Sequence, residues 1–335
     1  MPVPRSSDPS ALFEAARGGD RVALARLLSL VERGGEPSRV VAGLAFKAPG
    51  DAYSVGITGA PGAGKSTLTD RLIAKGRDLG FNGGNAMAVL AVDPSSPFSG
   101  GAILGDRVRM QGHALDDGVF IRSMATRGHL GGLAVAVPDA VRVLSAVGMP
   151  MVLVETVGVG QQEVEVAAAT DTTMVVVNPG WGDAIQANKA GLLEIADLFV
   201  INKADRAGAQ QTRRDLDQML DLTDLAGPGR WRPPIVDTVA STGEGVDALW
   251  AAIGEHRQHQ IRQGTLVVQR RERLEREFRQ ILVARVARQI DDALVAGRFT
   301  DVVSAMTGGE LDPYQAADRL LAGIMKAQPD APAPG

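Results

Sequence analysis

The chain is 335 residues long, with 45% apolar but only 4% aromatic residues, a formal net charge of −4 and no cysteine. That length exceeds a small single domain and suits one core of about 200 residues with helical additions, neither disordered nor fibrous. The charge balance gives no pull toward nucleic acid or an anionic membrane, and the missing thiols exclude disulfides, thiolate zinc sites and a cysteine nucleophile.

The opening stretch MPVPRSSDPSALFEAARGGD lacks the apolar centre of a signal peptide, and no apolar run reaches membrane-spanning length. The expected location is the cytoplasm, or a matrix-like compartment after processing, with no membrane involved. Residues 1–48 form a helical arm: Leu12, Ala15, Val22, Leu24, Leu27, Leu28, Val31 and Val40 recur at helical spacing, interrupted by Gly18-Gly19 and Gly34-Gly35. Over 49–254, compact β-branched runs at 53–58, 88–93, 151–156, 173–178, 198–202 and 235–241 alternate with segments long enough for helices. This predicts an α/β fold with a mostly parallel, doubly wound sheet. Beyond Gly254 the pattern becomes charged and helical, reading as one long helix within a C-terminal arm over 255–326, with Leu274, Phe278, Ile281, Leu282, Val286, Ile290 and Leu294 near one face. That face packs either on the core or against a second subunit. Residues 327–335, ending in QPDAPAPG, read as a disordered tail.

The run Gly59, Ala60, Pro61, Gly62, Ala63, Gly64, Lys65, Ser66, Thr67 matches G-x-x-x-x-G-K-[ST] and directly follows the strand YSVGIT. Glycines let the backbone wrap closely enough for its N–H groups to face phosphate oxygens. A helix starting near Lys65 adds a positive dipole end, the Lys65 ammonium reaches the β- and γ-phosphates, and the Ser66 hydroxyl is placed to ligate Mg²⁺. This P-loop signals a nucleotide without naming its base.

Asn202, Lys203, Ala204 and Asp205 follow the apolar strand LFVI, at the strand end where open α/β sheets bind ligands. A carboxylate at Asp205 can accept hydrogen bonds from guanine N1–H and its exocyclic amine, whereas adenine offers it an opposing lone pair. Lys203 can lay its stem along the base. Ala240, Ser241 and Thr242, after the last strand, sit where a backbone N–H could meet guanine O6.

Strand MVLVE delivers Glu155, with Gly158 three residues on, a D-x-x-G-like arrangement carrying Glu for Asp. Its carboxylate can hold a magnesium hydration shell, and the Gly158 N–H can sense the γ-phosphate. Asp93 ends the strand AVLAVD at the same sheet edge and reads first as a further metal-water ligand and otherwise as a helix cap, while Asp106 reads equally as either. Gln161 and Gln162 are candidates to orient the attacking water, with neither assigned. Arg127 reads as an internal arginine finger or a solvated loop cation, and His129, with no carboxylate at ligand spacing, as a surface or capping residue.

With these residues in order, the chain resembles the methylmalonyl-CoA mutase-associated GTPases, the MeaB, ArgK or MMAA group. The resemblance rests on GAPGAGKST, DPSSPFSGGAILGDRVRM, FIRSMATRGHLGGLA, ETVGVGQQE, NPGWGDAIQANKAGLLEIAD and NKAD, covering about residues 11–253. It implies a homodimeric P-loop GTPase of the class that includes signal-recognition and nickel-insertion GTPases, using GTP, GDP and Mg²⁺. Its implied partner is an adenosylcobalamin-dependent acyl-CoA mutase, whose cofactor loading, protection and reactivation it gates. By motif match, Lys65, Asp93, Asp106, Glu155 and Gly158 surround phosphates and metal. Residues 158–163, with Gln161, Gln162 and Glu163, form one switch, and residues 180–189, with Asp183, Gln186 and Lys189, another. Many members read SSGTLGG or SSGHLGG where this chain has ATRGHLGG, which points to a related partner branch, such as a 2-hydroxyisobutyryl-CoA or isobutyryl-CoA mutase. Two rival readings are a P-loop kinase or transport-associated ATPase, opposed by NKAD, and a metal-storing insertion GTPase, opposed by scattered histidines and absent cysteines.

Overall fold

The computed structural model describes residues 8–80, 87–94, 111–113, 116–126, 132–156, 166, 168–180, 191, 194–222 and 230–326. Strands β1 (Tyr53–Gly59), β2 (Met87–Pro94), β3 (Val119–Thr126), β4 (Met151–Thr156), β5 (Thr172–Val177), β6 (Leu198–Asn202) and β7 (Ile235–Thr238) form one sheet in the order β3-β2-β4-β1-β5-β6-β7. Every pairing is parallel, so all strand carboxyl ends share one edge. The helices of the same compact unit, residues 1–275, are α1 (Pro9–Arg17), α2 (Arg21–Arg33), α3 (Gly35–Lys47), α4 (Lys65–Asp78), α5 (Gly132–Ala146), α6 (Ala209–Leu222), α7 (Val246–Gln263) and the start of α8 (Thr265–Val295).

Strands β1, β4, β5 and β6 are buried along their whole length because helices cover both faces. Alternation sends Tyr53, Val55, Ile57, Leu153, Met174 and Val200 toward α4 and α7. On the other face, Leu90, Val92, Val152 and Val154 pack with α1, α2, α3 and α5, while Val175, Val177, Phe199 and Ile201 pack with α6.

The three N-terminal helices are separated at the two glycine pairs the sequence marked, and Asp8 and Asp20 cap α1 and α2 through their carboxylates. They share a core with the sheet. Arg21 donates to the carbonyls of Asp116, Asp117 and Val119, and Arg122 of β3 donates to Glu32 (2.9 Å) and Ser29 (3.1 Å) of α2. Strand β3 was not expected from the sequence, since Arg122 and Ser123 interrupt its apolar run. It is an edge strand, and the arginine that hides it is neutralised by α2.

The long C-terminal helix expected from the sequence is two helices. Gly264, at φ 69°, ends α7 in the left-handed region, and α8 restarts at Thr265. A second compact unit, residues 276–335, holds the remainder of α8, α9 (Thr300–Thr307) and α10 (Pro313–Lys326). On the expected apolar row of α8, Phe278 is 63% and Leu282 50% exposed, while Ile281 and Ile290 are half-buried.

At the amino-terminal edge of the sheet lies a buried polar network. Asp171 accepts from the backbone N–H and hydroxyl of Ser54, both at 3.0 Å, and from Arg270 at 2.7 and 3.0 Å, and it also pairs with Arg273. Burial opposes the Asp171 charge, but the two guanidinium groups win and hold its carboxyl down at about 2. Beside it, Tyr53 donates to Gln260 (2.8 Å), and Thr172 bonds His256 Nδ1 (2.7 Å), whose Nε2 lies 3.4 Å from Asp197. Burial draws His256 down to about 4 and pushes Asp197 up to about 7.

Candidate nucleotide site

The carboxyl-terminal edge gathers Gly59, Glu155, Asn202 and Thr238 from strands β1, β4, β6 and β7. Between β1 and α4 the phosphate loop turns through left-handed glycines, Gly62 at φ 73° and Gly64 at φ 92°. Two glycines are also required by proximity. A Cβ on Gly59 would lie 2.0 Å from the Val176 carbonyl oxygen of neighbouring β5, and one on Gly64 would lie 2.3 Å from Asn202 Nδ2. Thus the loop is pressed against both the sheet and the base-side strand end.

Helix α4 begins at Lys65 with Gly64 as its N-cap and no side-chain cap, so its first N–H groups and dipole end face the loop's interior. Lys65 is buried and folds back to donate to the carbonyls of Gly59 (2.7 Å) and Ala60 (3.0 Å). Ser66 donates to Glu155 Oε1 at 2.5 Å, and Thr69, one turn further along α4, donates to Oε2 at 2.9 Å. Glu155 is 1% exposed. Its carboxylate is therefore oriented from both sides by hydroxyls of the helix that starts at the phosphate loop. A hydroxyl beside a carboxylate is a hard oxygen donor set, which fits Mg²⁺ and not a thiophilic metal. Thr67 faces solvent, while Ala60 and Ala63 are buried under the loop.

On the base side, Asn202 is a buried junction. Its Nδ2 donates to the Ala63 carbonyl (2.7 Å), and its Oδ1 accepts from Thr238 Oγ1 (3.2 Å) and the Ala240 N–H (3.1 Å). Lys203, at φ 59°, donates to the Gly62 carbonyl (2.7 Å). The N-K-x-D segment, the phosphate loop and the loop after β7 are thereby one hydrogen-bonded body. Asp205, Ser241 and Thr242 stand exposed at its rim. Arg71 of α4 extends to the same rim, donating to the carbonyls of Ala240 (2.9 Å) and Ser241 (2.7 Å).

The residues brought together are thus Gly59 to Thr67, Glu155, Asn202, Lys203, Asp205, Ser241 and Thr242. The backbone of Asp93 lies in β2, paired with Ala125 of β3, two residues beyond the Ala91–Glu155 pairing. Asp106, Arg127, His129, Gly158, Gln161, Gln162, Glu163, Asp183, Gln186 and Lys189 lie outside the described residues. Sequence reasoning missed Thr69 and Arg71. Thr69 had a signal, since it lies four and three residues after Lys65 and Ser66 and so on their side of the helix. Arg71 had none, because its partners are about 170 residues away.

The family model described as methylmalonyl Co-A mutase-associated GTPase MeaB matches residues 24–294. A "Putative GTPase" of Pyrococcus abyssi is 49% identical over 315 residues, covering 94% of this chain and 96% of that one. A protein of Cupriavidus metallidurans named fused isobutyryl-CoA mutase is 42% identical over 200 residues, which cover 59% of this chain and 18% of that one. Among solved structures, one described as an LAO/AO transport system kinase superposes with a TM-score of 0.69 at 24% identity, covering 96% of this chain and 99% of that one, a likeness of fold. With a phosphate loop, a base-side Asn-Lys-Ala-Asp segment and the parallel sheet that joins them, the chain belongs to the methylmalonyl-CoA mutase-associated GTPase family MeaB and is a GTPase.

Proposed function

We propose that this GTPase serves an adenosylcobalamin-dependent acyl-CoA mutase, gating the loading of its cofactor, its protection and its reactivation. The partner is methylmalonyl-CoA mutase or a related 2-hydroxyisobutyryl- or isobutyryl-CoA mutase. One observation carries this reading: 200 residues of the chain have a 42% identical counterpart inside a protein named fused isobutyryl-CoA mutase. Covalent fusion holds two activities at high effective concentration, which favours a working interaction between them. The family's description, associated with methylmalonyl-CoA mutase, supports the same class.

In this reading Lys65 exchanges its two loop carbonyls for the β- and γ-phosphate oxygens, a charge-assisted replacement of neutral acceptors. Ser66 and Glu155 would hold magnesium, with Asp93 at the neighbouring strand end. Magnesium held there would supply positive charge to offset that of the phosphates. Asp205 accepts from guanine N1–H and the 2-amino group, the Lys203 stem lies along the ring, and the phosphate loop from Gly59 to Thr67 encloses the diphosphate with backbone N–H groups. Segments 158–163 and 180–189 carry the nucleotide state to the partner. The protein acts as a homodimer through its C-terminal helices, a reading supported by the open apolar side chains Phe278 and Leu282 on α8 and Tyr314 (84% exposed) on α10. The proposed location is the cytoplasm; no helix among the described residues is long and apolar enough to cross a membrane.

The test is GTP turnover and adenosylcobalamin transfer with each candidate mutase at increasing concentration. A mutase that accelerates hydrolysis severalfold and receives cofactor only with hydrolysable GTP is the expected result. Turnover and transfer indifferent to every candidate would overturn the reading.

A further inference from the structure

The loop after β7 has three successive backbone N–H groups that could face a purine. The Ala240 N–H is taken by Asn202 Oδ1 at 3.1 Å, and the Thr242 N–H by the Val239 carbonyl at 3.1 Å. The Ser241 N–H makes no hydrogen bond to any described residue. It is therefore the donor left over at the rim, beside exposed Asp205 and Lys203.

Where that N–H points is decided by the peptide plane between Ala240 and Ser241. In a trans peptide the C=O and N–H are antiparallel, so pinning one aims the other. Arg71 pins it. Its Nε donates to the Ala240 carbonyl at 2.9 Å, which belongs to that same peptide, and its Nη2 donates to the next carbonyl, Ser241, at 2.7 Å. The planar fork of a guanidinium sets two consecutive carbonyls in one fixed geometry, whereas a lysine ammonium, a point charge with rotatable donors, fixes their direction less. Its half-buried stem rises from α4, the helix that begins at Lys65 and Ser66.

We propose that Arg71 is a specificity-positioning residue of the nucleotide site: by holding the Ala240 and Ser241 carbonyls toward α4 it turns the Ser241 N–H outward to donate to the O6 oxygen of guanine. This rests on the guanine reading of Asp205. An amino group at the same purine position is a donor and meets the Ser241 N–H unfavourably, so the device adds to discrimination against adenine. It also ties the base rim to the helix under the phosphates, so both halves of the site move as one body.

The test compares GDP and ADP affinities, by calorimetry with Mg²⁺, for wild type, Arg71→Ala, Arg71→Lys and Asp205→Ala. One well-oriented hydrogen bond corresponds to about a fivefold to tenfold change in affinity. Arg71→Ala is expected to weaken GDP by roughly that factor while leaving ADP unchanged, with Arg71→Lys between the two. Equal weakening of both nucleotides means that Arg71 acts only through the phosphate helix and overturns the proposal, as does unchanged GDP binding. Should Arg71→Ala fail to fold, the GDP:ADP ratio of Arg71→Lys decides alone, a wild-type ratio sinking the idea. Asp205→Ala separates the two levels: if it too leaves the ratio intact the guanine reading is wrong, whereas a collapsed ratio there beside intact Arg71 variants removes Arg71 only.

Discussion

The two edges of the sheet use the same residue types to opposite ends. At the amino-terminal edge, the Asp171 carboxylate is surrounded by two arginines and by the N–H and hydroxyl of Ser54. Nothing is left for a ligand, and α8 is fastened to β1 and β5. At the carboxyl-terminal edge, Lys65 has the neutral carbonyls of Gly59 and Ala60 among its contacts, and Glu155 has two hydroxyls among its own. Such partners orient a charge without neutralising it. A saturated ion network makes a joint, whereas hydrogen bonds to neutral carbonyls and hydroxyls can be exchanged for ligand oxygens at a binding site.

The most severe way to break this contrast is to open the joint. Asp171→Ala leaves Arg273 partly buried without its carboxylate and strands the Ser54 groups, while Arg270, 40% exposed, can turn to water. Chemical denaturation is expected to show a loss of about 3 kcal/mol, with GDP affinity of the folded fraction little changed. Lys65→Ala inverts that outcome. Affinity for GDP is expected to fall by about two orders of magnitude in calorimetry, since a charge-assisted bond to phosphate is lost. The unfolding midpoint should move less than for Asp171→Ala, because the Gly59 and Ala60 carbonyls that lose a donor are neutral groups of a loop.

A smaller effect sharpens the comparison through pH. Because the folded Asp171 carboxyl titrates near 2, below the ordinary range near 3.8, its stabilisation is present above about pH 4. It is lost as pH falls from there toward 2, by roughly 2 kcal/mol. Urea midpoints measured from pH 5 down to 2.5 should drop more steeply for wild type than for Asp171→Asn. The His256 and Asp197 pair contributes with opposite signs across pH 4 to 6.5: burial that keeps His256 neutral adds stability as pH rises, and burial that keeps Asp197 protonated removes it. The least effect belongs to an ion pair that serves neither edge. Lys75 meets Asp247, which is 82% exposed, and Asp247→Ala is expected to cost under about 0.5 kcal/mol in the same denaturation experiment.

Much of the site was legible before any coordinates because its parts are contiguous. The phosphate loop follows its strand and precedes its helix within a few residues, and the Asn202 to Asp205 segment follows β6 directly. Other parts were hidden for specific reasons. Arg122 disguised edge strand β3, since a charge in a strand reads as a break until Glu32 is seen beside it. Gly264 was submerged in a long helical pattern, and only its φ of 69° shows that the chain turns there.

By itself the sequence determined the alternation of buried strands and helices, the phosphate loop and the base-side segment, since each depends on local spacing and backbone freedom. Only the tertiary structure decided that Arg71 aims the Ser241 peptide, that Thr69 shares Glu155 with Ser66 and that two arginines of α8 converge on Asp171. These contacts join residues tens to well over a hundred positions apart, through side chains whose types are ordinary where they stand. Their meaning comes from the parallel sheet, which brings non-consecutive strand ends to a common edge and thereby selects which distant groups can meet.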